Sequence, residues 1–82
     1  MSLKPIRADK LIKALAKVGF KPVRQRGSHL LLKNEEGKAI VVPIHRGEVL
    51  GRGLLSKIIK EAGLTREEFL KLLKGRRASR AR

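Results

Sequence analysis

The apolar residues between positions 8 and 18 recur at the spacing of one face of a helix. Lysines occupy the opposite side, so the segment predicts an amphipathic helix with a basic surface. Gly19 predicts the end of this helix, because glycine readily adopts the left-handed conformation that follows many helix C-termini. The apolar positions are Ala8, Leu11, Ile12, Leu15 and Val18, and the lysines are Lys10, Lys13 and Lys17.

A short β-rich run from Phe20 to Arg26 follows the predicted helix. Pro22 lies within it, and because proline cannot donate a hydrogen bond to a ladder, the run is expected to form an edge strand. Gly27 then predicts a tight turn into the next strand.

Two further runs, Ser28 to Lys33 and Lys38 to Pro43, predict a β-hairpin. The Asn-Glu-Glu-Gly sequence between them has the composition of a turn. If the last residue of the first run pairs with the first residue of the second, His29 lies opposite Val42 in an antiparallel ladder.

The second half of the chain predicts a loop and two helices. Residues 44 to 53 contain three glycines and two arginines, and we interpret them as a glycine-punctuated loop that could face phosphate. An apolar stripe over residues 54 to 62 predicts the second helix. Thr65 followed by Glu68 is a capping box that opens a third helix, and Gly75 predicts its end.

The predicted order is helix, strand, strand, strand, helix, helix, which defines an α+β two-layer sandwich with helices on one face of an antiparallel sheet. The other sheet face and the loops would remain open to a ligand. With 82 residues, the chain is expected to form a single domain over residues 1–75, followed by a basic disordered tail over residues 76–82.

The charge of the chain indicates the class of partner. Its 21 Lys and Arg residues face only 7 Asp and Glu, for a net charge of +14. A phosphate backbone fits this surplus, because neutralising it releases counterions and drives association. No run reaches the roughly 18 apolar residues that span a membrane, and no secretory leader is apparent. We therefore expect a cytoplasmic protein without a membrane partner.

Residue types that are rare or missing from the chain exclude several kinds of catalytic and binding site. The chain has no cysteine, which excludes disulfides, thiolate zinc sites and cysteine nucleophiles. Its two aromatic residues, Phe20 and Phe69, are expected in the core, so stacking of bases on aromatic side chains is disfavoured. The carboxylates are scattered over helices and a hairpin tip, which gives metal-dependent cleavage little support. We expect no metal and no cofactor.

His29 is the candidate for chemistry. It follows a turn that can present a side chain to a ligand, and strand alternation places it with Lys33 on the face expected to meet solvent. Neighbouring cations could hold a phosphodiester and stabilise the charge that develops on it. A lone strand or loop histidine is more often structural, an interpretation that His45 keeps. The candidate RNA-binding residues are Arg24, Arg26, Ser28, Lys33, His45, Arg46 and Arg52.

The helix pair between Leu55 and Lys74 is also similar to a helix-turn-helix. A recognition helix reads bases with its first turn. Here that turn contains Glu67 and Glu68, which DNA phosphates would repel. A structural helix pair is therefore favoured, and DNA binding is the weaker alternative.

Several groups of residues together resemble the HicA toxin family. The resemblance covers nearly everything from Ala8 to Leu64, and the Gly-Ser-His and Pro-x-His elements are specific in this order and spacing. The residues that carry it are Gly19 and Phe20, Arg24 to His29, Val42 to His45, Gly53 to Leu55 and Ile58 to Gly63.

The resemblance implies a double-stranded-RNA-binding-like fold, a ribosome-independent mRNA endonuclease activity, and neutralisation by a HicB antitoxin encoded beside the toxin. The catalytic histidine of the family falls on His29. The chain departs from the family in its longer C-terminal part, Thr65 to Lys74 and the arginine tail. This departure leaves the oligomeric state and the antitoxin geometry open.

Two functions stay open from the sequence. In the first, His29 is a general base on a ribose 2′-hydroxyl of mRNA, while Arg24, Arg26 or Lys33 holds the phosphate. The general acid is then His45, a lysine or water. In the second, the chain is a non-catalytic module that recognises double-stranded RNA by shape and phosphate contacts.

Overall fold

The computed structural model describes residues 3–44 and 49–74. Within these ranges it confirms the predicted α+β sandwich, with two additional short strands. No helix in them is long and apolar enough to cross a membrane. In chain order the elements are β1 (Ile6–Arg7), α1 (Ala8–Ala16), β2 (Lys21–Arg26), β3 (His29–Lys33), β4 (Ala39–Pro43), β5 (Val49–Leu50), α2 (Arg52–Glu61) and α3 (Arg66–Leu73).

Strands β2, β3 and β4 form an antiparallel sheet in that order, so β2 is the edge strand that Pro22 predicts. The helices pack on one face of the sheet and share a single core with it. Leu32, Ile40 and Val42 are the buried sheet residues of this core. The opposite face of the sheet is left uncovered by the described residues.

Helix α1 matches the predicted amphipathic pattern. Leu11 and Leu15 are fully buried, and the chain leaves the helix through Gly19, whose φ of 96° is the left-handed conformation expected there. Asp9 lies in the first turn, 3.2 Å from Nε of Arg7. Desolvation raises the pKa of Asp9, but the charge and hydrogen bond of Arg7 outweigh it and hold that pKa below its usual value.

The predicted register of the hairpin is wrong by one residue. His29 pairs with Pro43, not with Val42. The cause is Asn34, whose side-chain oxygen accepts hydrogen bonds from the N–H groups of Glu36 at 3.0 Å and Lys38 at 2.9 Å. This Asx-type turn moves the partner strand by one position. The predicted solvent face of β3 is confirmed, because His29 is exposed and Leu32 is buried.

The predicted glycine loop contains regular structure. Its residues Val49 and Leu50 pair in antiparallel fashion with Ile6 and Arg7, in a ribbon that the sequence pattern did not reveal. Helix α2 begins two residues earlier than predicted, so Gly53 is helical. Two-residue strands carry no periodicity, which explains why both were missed.

Helix α3 is an integral part of the core. The side chains of Thr65 and Glu68 form the predicted capping box, with hydrogen bonds of 2.8 and 3.0 Å. Phe69 and Leu72 are completely buried as α3 packs against α1. Directly after α1, Nζ of Lys17 donates to the carbonyl of Leu72 at 2.8 Å, which gives a hydrogen-bond partner to one of the carbonyls at the end of α3. The predictions for Gly75 and the tail lie outside the described residues.

Candidate nucleic-acid interface

The candidate histidine lies on the sheet face that points away from the helices, which we call the outer sheet face. Residues that pair across neighbouring strands point to the same side of a sheet. Three cross-strand rows therefore make up the outer sheet face. They are Arg26, His29 and Pro43; then Arg24, Leu31 and Val41; then Lys21, Lys33 and Ala39.

The cations nearest His29 come from the edge strand β2. Arg26 pairs directly with His29, which places their Cβ atoms about 4.5–5.5 Å apart. Arg24 lies two residues further along the same strand and is the diagonal neighbour of His29, at about 7–8 Å between Cα atoms. Arg24, Arg26 and His29 are all exposed. Both guanidinium groups can therefore reach a phosphodiester that lies against the imidazole.

Gly27 and Ser28 hold His29 in place through the backbone. They form a two-residue turn between β2 and β3, and Gly27 has a φ of 57°. Glycine at the first position of such a turn is strongly favoured. The carbonyl of Ser28 accepts a hydrogen bond of 2.7 Å from the N–H of Ile44, which ties the start of β3 to the end of β4. The described contact of Ser28 is thus a backbone hydrogen bond, which helps to position His29.

Lys33 lies at the far end of the outer sheet face. It lies four positions after His29 along β3, a distance of roughly 13 Å at the usual strand rise. Its cross-strand partner is Lys21, which the sequence interpretation did not include. The structure therefore brings Arg24 and Arg26 to His29. Lys33 forms a second pair of cations with Lys21, too far from His29 to share one phosphate with it.

Arg52 is in a different part of the molecule. It opens α2 in the helical layer, where it lines a pocket together with Arg66. The predicted binding residues His45 and Arg46 lie outside the described residues. In the ranges 3–44 and 49–74, no three His, Asp or Glu side chains are grouped so that they could hold a metal ion.

The outer sheet face also has an apolar centre that sequence reasoning missed. Val41 is 49% exposed, and Val23 is 56% exposed. Val23 is the extra residue at a β-bulge between Pro22 and Arg24, so Val23 and Arg24 together oppose Leu31. Leu31 lies between the two outer strands and is half-buried. The alternation along β4 could have predicted the position of Val41, because it puts Ala39, Val41 and Pro43 on one side of the strand. The surface thus combines an apolar strip with cations around it.

The fold is an α+β sandwich of the double-stranded-RNA-binding type, with an exposed histidine and two arginines on its open sheet face. The family model described as the HicA toxin of bacterial toxin-antitoxin matches residues 8–64, which is more than half of the chain. The chain belongs to the HicA toxin family, as the sequence motifs indicated, and is a toxin-type member of a toxin-antitoxin system. A search of curated proteins found no match.

Proposed function

We propose that this protein is an endoribonuclease that cleaves mRNA in the cytoplasm with His29 as its catalytic base. The observation that carries the proposal is the placement of His29 on an exposed sheet face, paired with Arg26 and diagonal to Arg24. An imidazole beside two guanidinium groups supplies a proton acceptor and charge stabilisation around a single phosphodiester. The match to a toxin family supports the same function.

The reaction uses the RNA itself as the nucleophile. His29 accepts the proton of the ribose 2′-hydroxyl, and the 2′-oxygen attacks the adjacent phosphorus. The bond from phosphorus to the 5′-oxygen breaks, and the leaving oxygen takes a proton from a general acid. Arg24 and Arg26 stabilise the extra negative charge on the phosphoryl oxygens during the step. No metal or cofactor takes part in this scheme.

The ends of the products test this chemistry. Cleavage by the 2′-oxygen leaves a 2′,3′-cyclic phosphate and a 5′-hydroxyl, and an RNA with a 2′-deoxyribose at the cleaved position stays intact. Mass spectrometry of the fragments distinguishes these ends from the 3′-hydroxyl and 5′-phosphate that attack by water would leave. Products of the second kind would overturn the assignment. Replacement of His45 by alanine asks whether that imidazole is the acid, since an acid's loss lowers the rate about a hundredfold.

The alternative is a module that binds double-stranded RNA without cutting it. It requires only a basic surface, which the charge of +14 supplies. This function would be indicated if the purified protein bound duplex RNA tightly and left every RNA intact.

We also propose that a HicB-type antitoxin neutralises the protein by covering the outer sheet face. The apolar strip of Val23, Leu31 and Val41 supports a protein partner there, because phosphates gain nothing from apolar contact whereas protein interfaces have an apolar core. The cations around the strip favour an acidic partner.

Substitutions in the apolar strip test this interface. The double variant Val23→Lys, Val41→Lys should bind the antitoxin encoded beside the toxin at least about tenfold more weakly, as expected when an interface centre is lost. Val49→Lys is the control for each of the two single variants, because it adds the same charge and Val49 is similarly exposed at 54% but lies in β5. Isothermal titration calorimetry measures the antitoxin affinity of the double variant, of the two single variants and of the control. Unchanged affinity of the double variant would show that the antitoxin binds elsewhere.

A further inference from the structure

A second basic site lies in the helical layer, between the first turns of α2 and α3. It is an open surface pocket of about 330 Å³ lined by Leu3, Arg52, Gly53, Ser56 and Arg66. Leu3 is almost fully buried and supplies an apolar wall. The core lies between this layer and the sheet, so the pocket is separate from the outer sheet face that carries His29.

The electrostatics of the pocket favour an anion. Two arginines line the same space, and none of the lining residues has a carboxylate side chain. Within residues 3–44 and 49–74 the ion pair present is Arg7 with Asp9, so neither Arg52 nor Arg66 forms a salt bridge with a described carboxylate. Two like charges that share a pocket repel each other, and a bound anion would turn that repulsion into attraction.

The lining residues also have the chemistry of a phosphate site. Arg52 and Ser56 are four residues apart and so share one face of α2. Gly53 also lines the pocket, and a Cβ atom at this position would meet nothing within 4 Å, so the space beside it is open. Two arginine side chains and one hydroxyl supply several hydrogen-bond donors, which match the oxygens of a phosphate group.

The local sequence of α2 is consistent with a negative charge that comes from outside the protein. Arg52 is its first residue, and no acidic residue is present in its first turn. A cation at this end of a helix opposes the helix dipole and lowers stability. In contrast, α1 has Asp9 and α3 has Glu67 and Glu68 in their first turns.

We propose that Arg52, Ser56 and Arg66 bind a backbone phosphate of the RNA at a distance from the cleaved bond. The identity of the phosphate as part of RNA rests on the proposed function, whereas the affinity of the pocket for phosphate does not. Arg66 lies beyond residues 8–64, the region that the family model matches. One of the two arginines of the site therefore comes from the C-terminal helix, and the protein binds RNA partly with a segment that lies outside the family region.

Binding of an RNA that cannot be cut tests the site. We would compare the double variant Arg52→Gln, Arg66→Gln with Lys57→Gln, Lys60→Gln, which removes the same charge from exposed α2 residues outside the pocket. Fluorescence anisotropy with a 2′-O-methylated oligonucleotide over a range of salt concentrations gives affinity and salt dependence. The arginine variant should bind about tenfold more weakly than the lysine variant, and the slope of log K against log salt should fall by about one more unit. Equal affinity and slope in the two variants would overturn the proposal.

Titration of the parent with inorganic phosphate separates this proposal from the proposed function. Amide signals of Gly53 and Ser56 should shift in NMR spectra of the parent and stay unchanged in the arginine variant. The variant's other signals report that it is folded. If the parent failed to bind RNA but phosphate still moved these signals, the proposed function would be wrong and the phosphate pocket would stand. If phosphate moved neither signal, the pocket would be no phosphate site.

Discussion

At the scale of single residues, the position of His29 depends on the turn before it and the turn after its strand. Gly27 closes the first turn with its positive φ, so that His29 pairs with Arg26. Strand alternation was enough to predict that His29 faces solvent. Its partner on β4 was mispredicted, because the side chain of Asn34 forms hydrogen bonds that a pairing rule based on turn length ignores.

Two glycines should respond to alanine in opposite directions. A Cβ atom at either Gly27 or Gly53 would meet nothing within 4 Å, so steric contacts do not contribute to the effect of alanine at these positions. Gly27→Ala should lower the free energy of unfolding by about 1–2 kcal/mol, because an alanine at positive φ is strained. Gly53→Ala should raise it by about 0.5–1 kcal/mol, because Gly53 is helical and alanine is the better helix former. Urea unfolding measures the free energy of unfolding of both variants. If the two substitutions changed it in the same direction, the assigned backbone conformations would be wrong.

At the scale of secondary structure elements, helix α3 is the part that the family region does not include. The capping box of Thr65 and Glu68 made it predictable, since both sequence signals are local. The ribbon between β1 and β5 was not predictable, because it joins two short segments about forty positions apart and neither has a periodic pattern. Local signals were therefore sufficient for the helices and insufficient for this long-range pairing.

Removal of α3 should unfold the protein. A chain that ends at Leu64 loses the completely buried Phe69 and Leu72 and exposes the side of α1 against which they pack. Loss of one large core side chain typically costs about 3–5 kcal/mol, which is most of the stability of a small domain. Circular dichroism and NMR should show a disordered chain, whereas a chain that ends at Gly75 should stay folded. A folded chain of residues 1–64 would show that α3 is dispensable.

At the scale of the whole molecule, positive charge is spread over several surfaces. Among the described residues, the outer sheet face has four cations, Lys21, Arg24, Arg26 and Lys33, and the pocket in the helical layer has two more, Arg52 and Arg66. Composition alone predicted a polyanionic partner from the charge of +14. The division of the cations between two layers needed the structure, because the sequence pattern placed Arg52 in a glycine-punctuated loop that could face phosphate and not at the start of α2.

RNA affinity should fall steeply as salt is added. Each phosphate that the protein neutralises contributes about 0.7–0.9 to the slope of log K against log salt, so contacts on both layers give a slope of several units. Removal of Arg76 to Arg82 should weaken binding equally for all RNA sequences and leave the thermal unfolding temperature unchanged. Binding assays at several salt concentrations, with the parent and the truncated protein, check both predictions. A flat salt response would contradict an electrostatic mode of binding.

The cleavage rate of the His29→Ala variant tests the central claim most directly. The measurement uses labelled RNA, excess EDTA, and the parent protein beside the variant. The parent should cut RNA in EDTA, and the variant should cut it at least about a hundredfold more slowly, because it has lost the proton acceptor. RNA affinity and unfolding temperature should match those of the parent, since His29 is an exposed side chain outside the core. If the variant cut RNA as fast as the parent, His29 would not be the catalytic base and the account would be wrong.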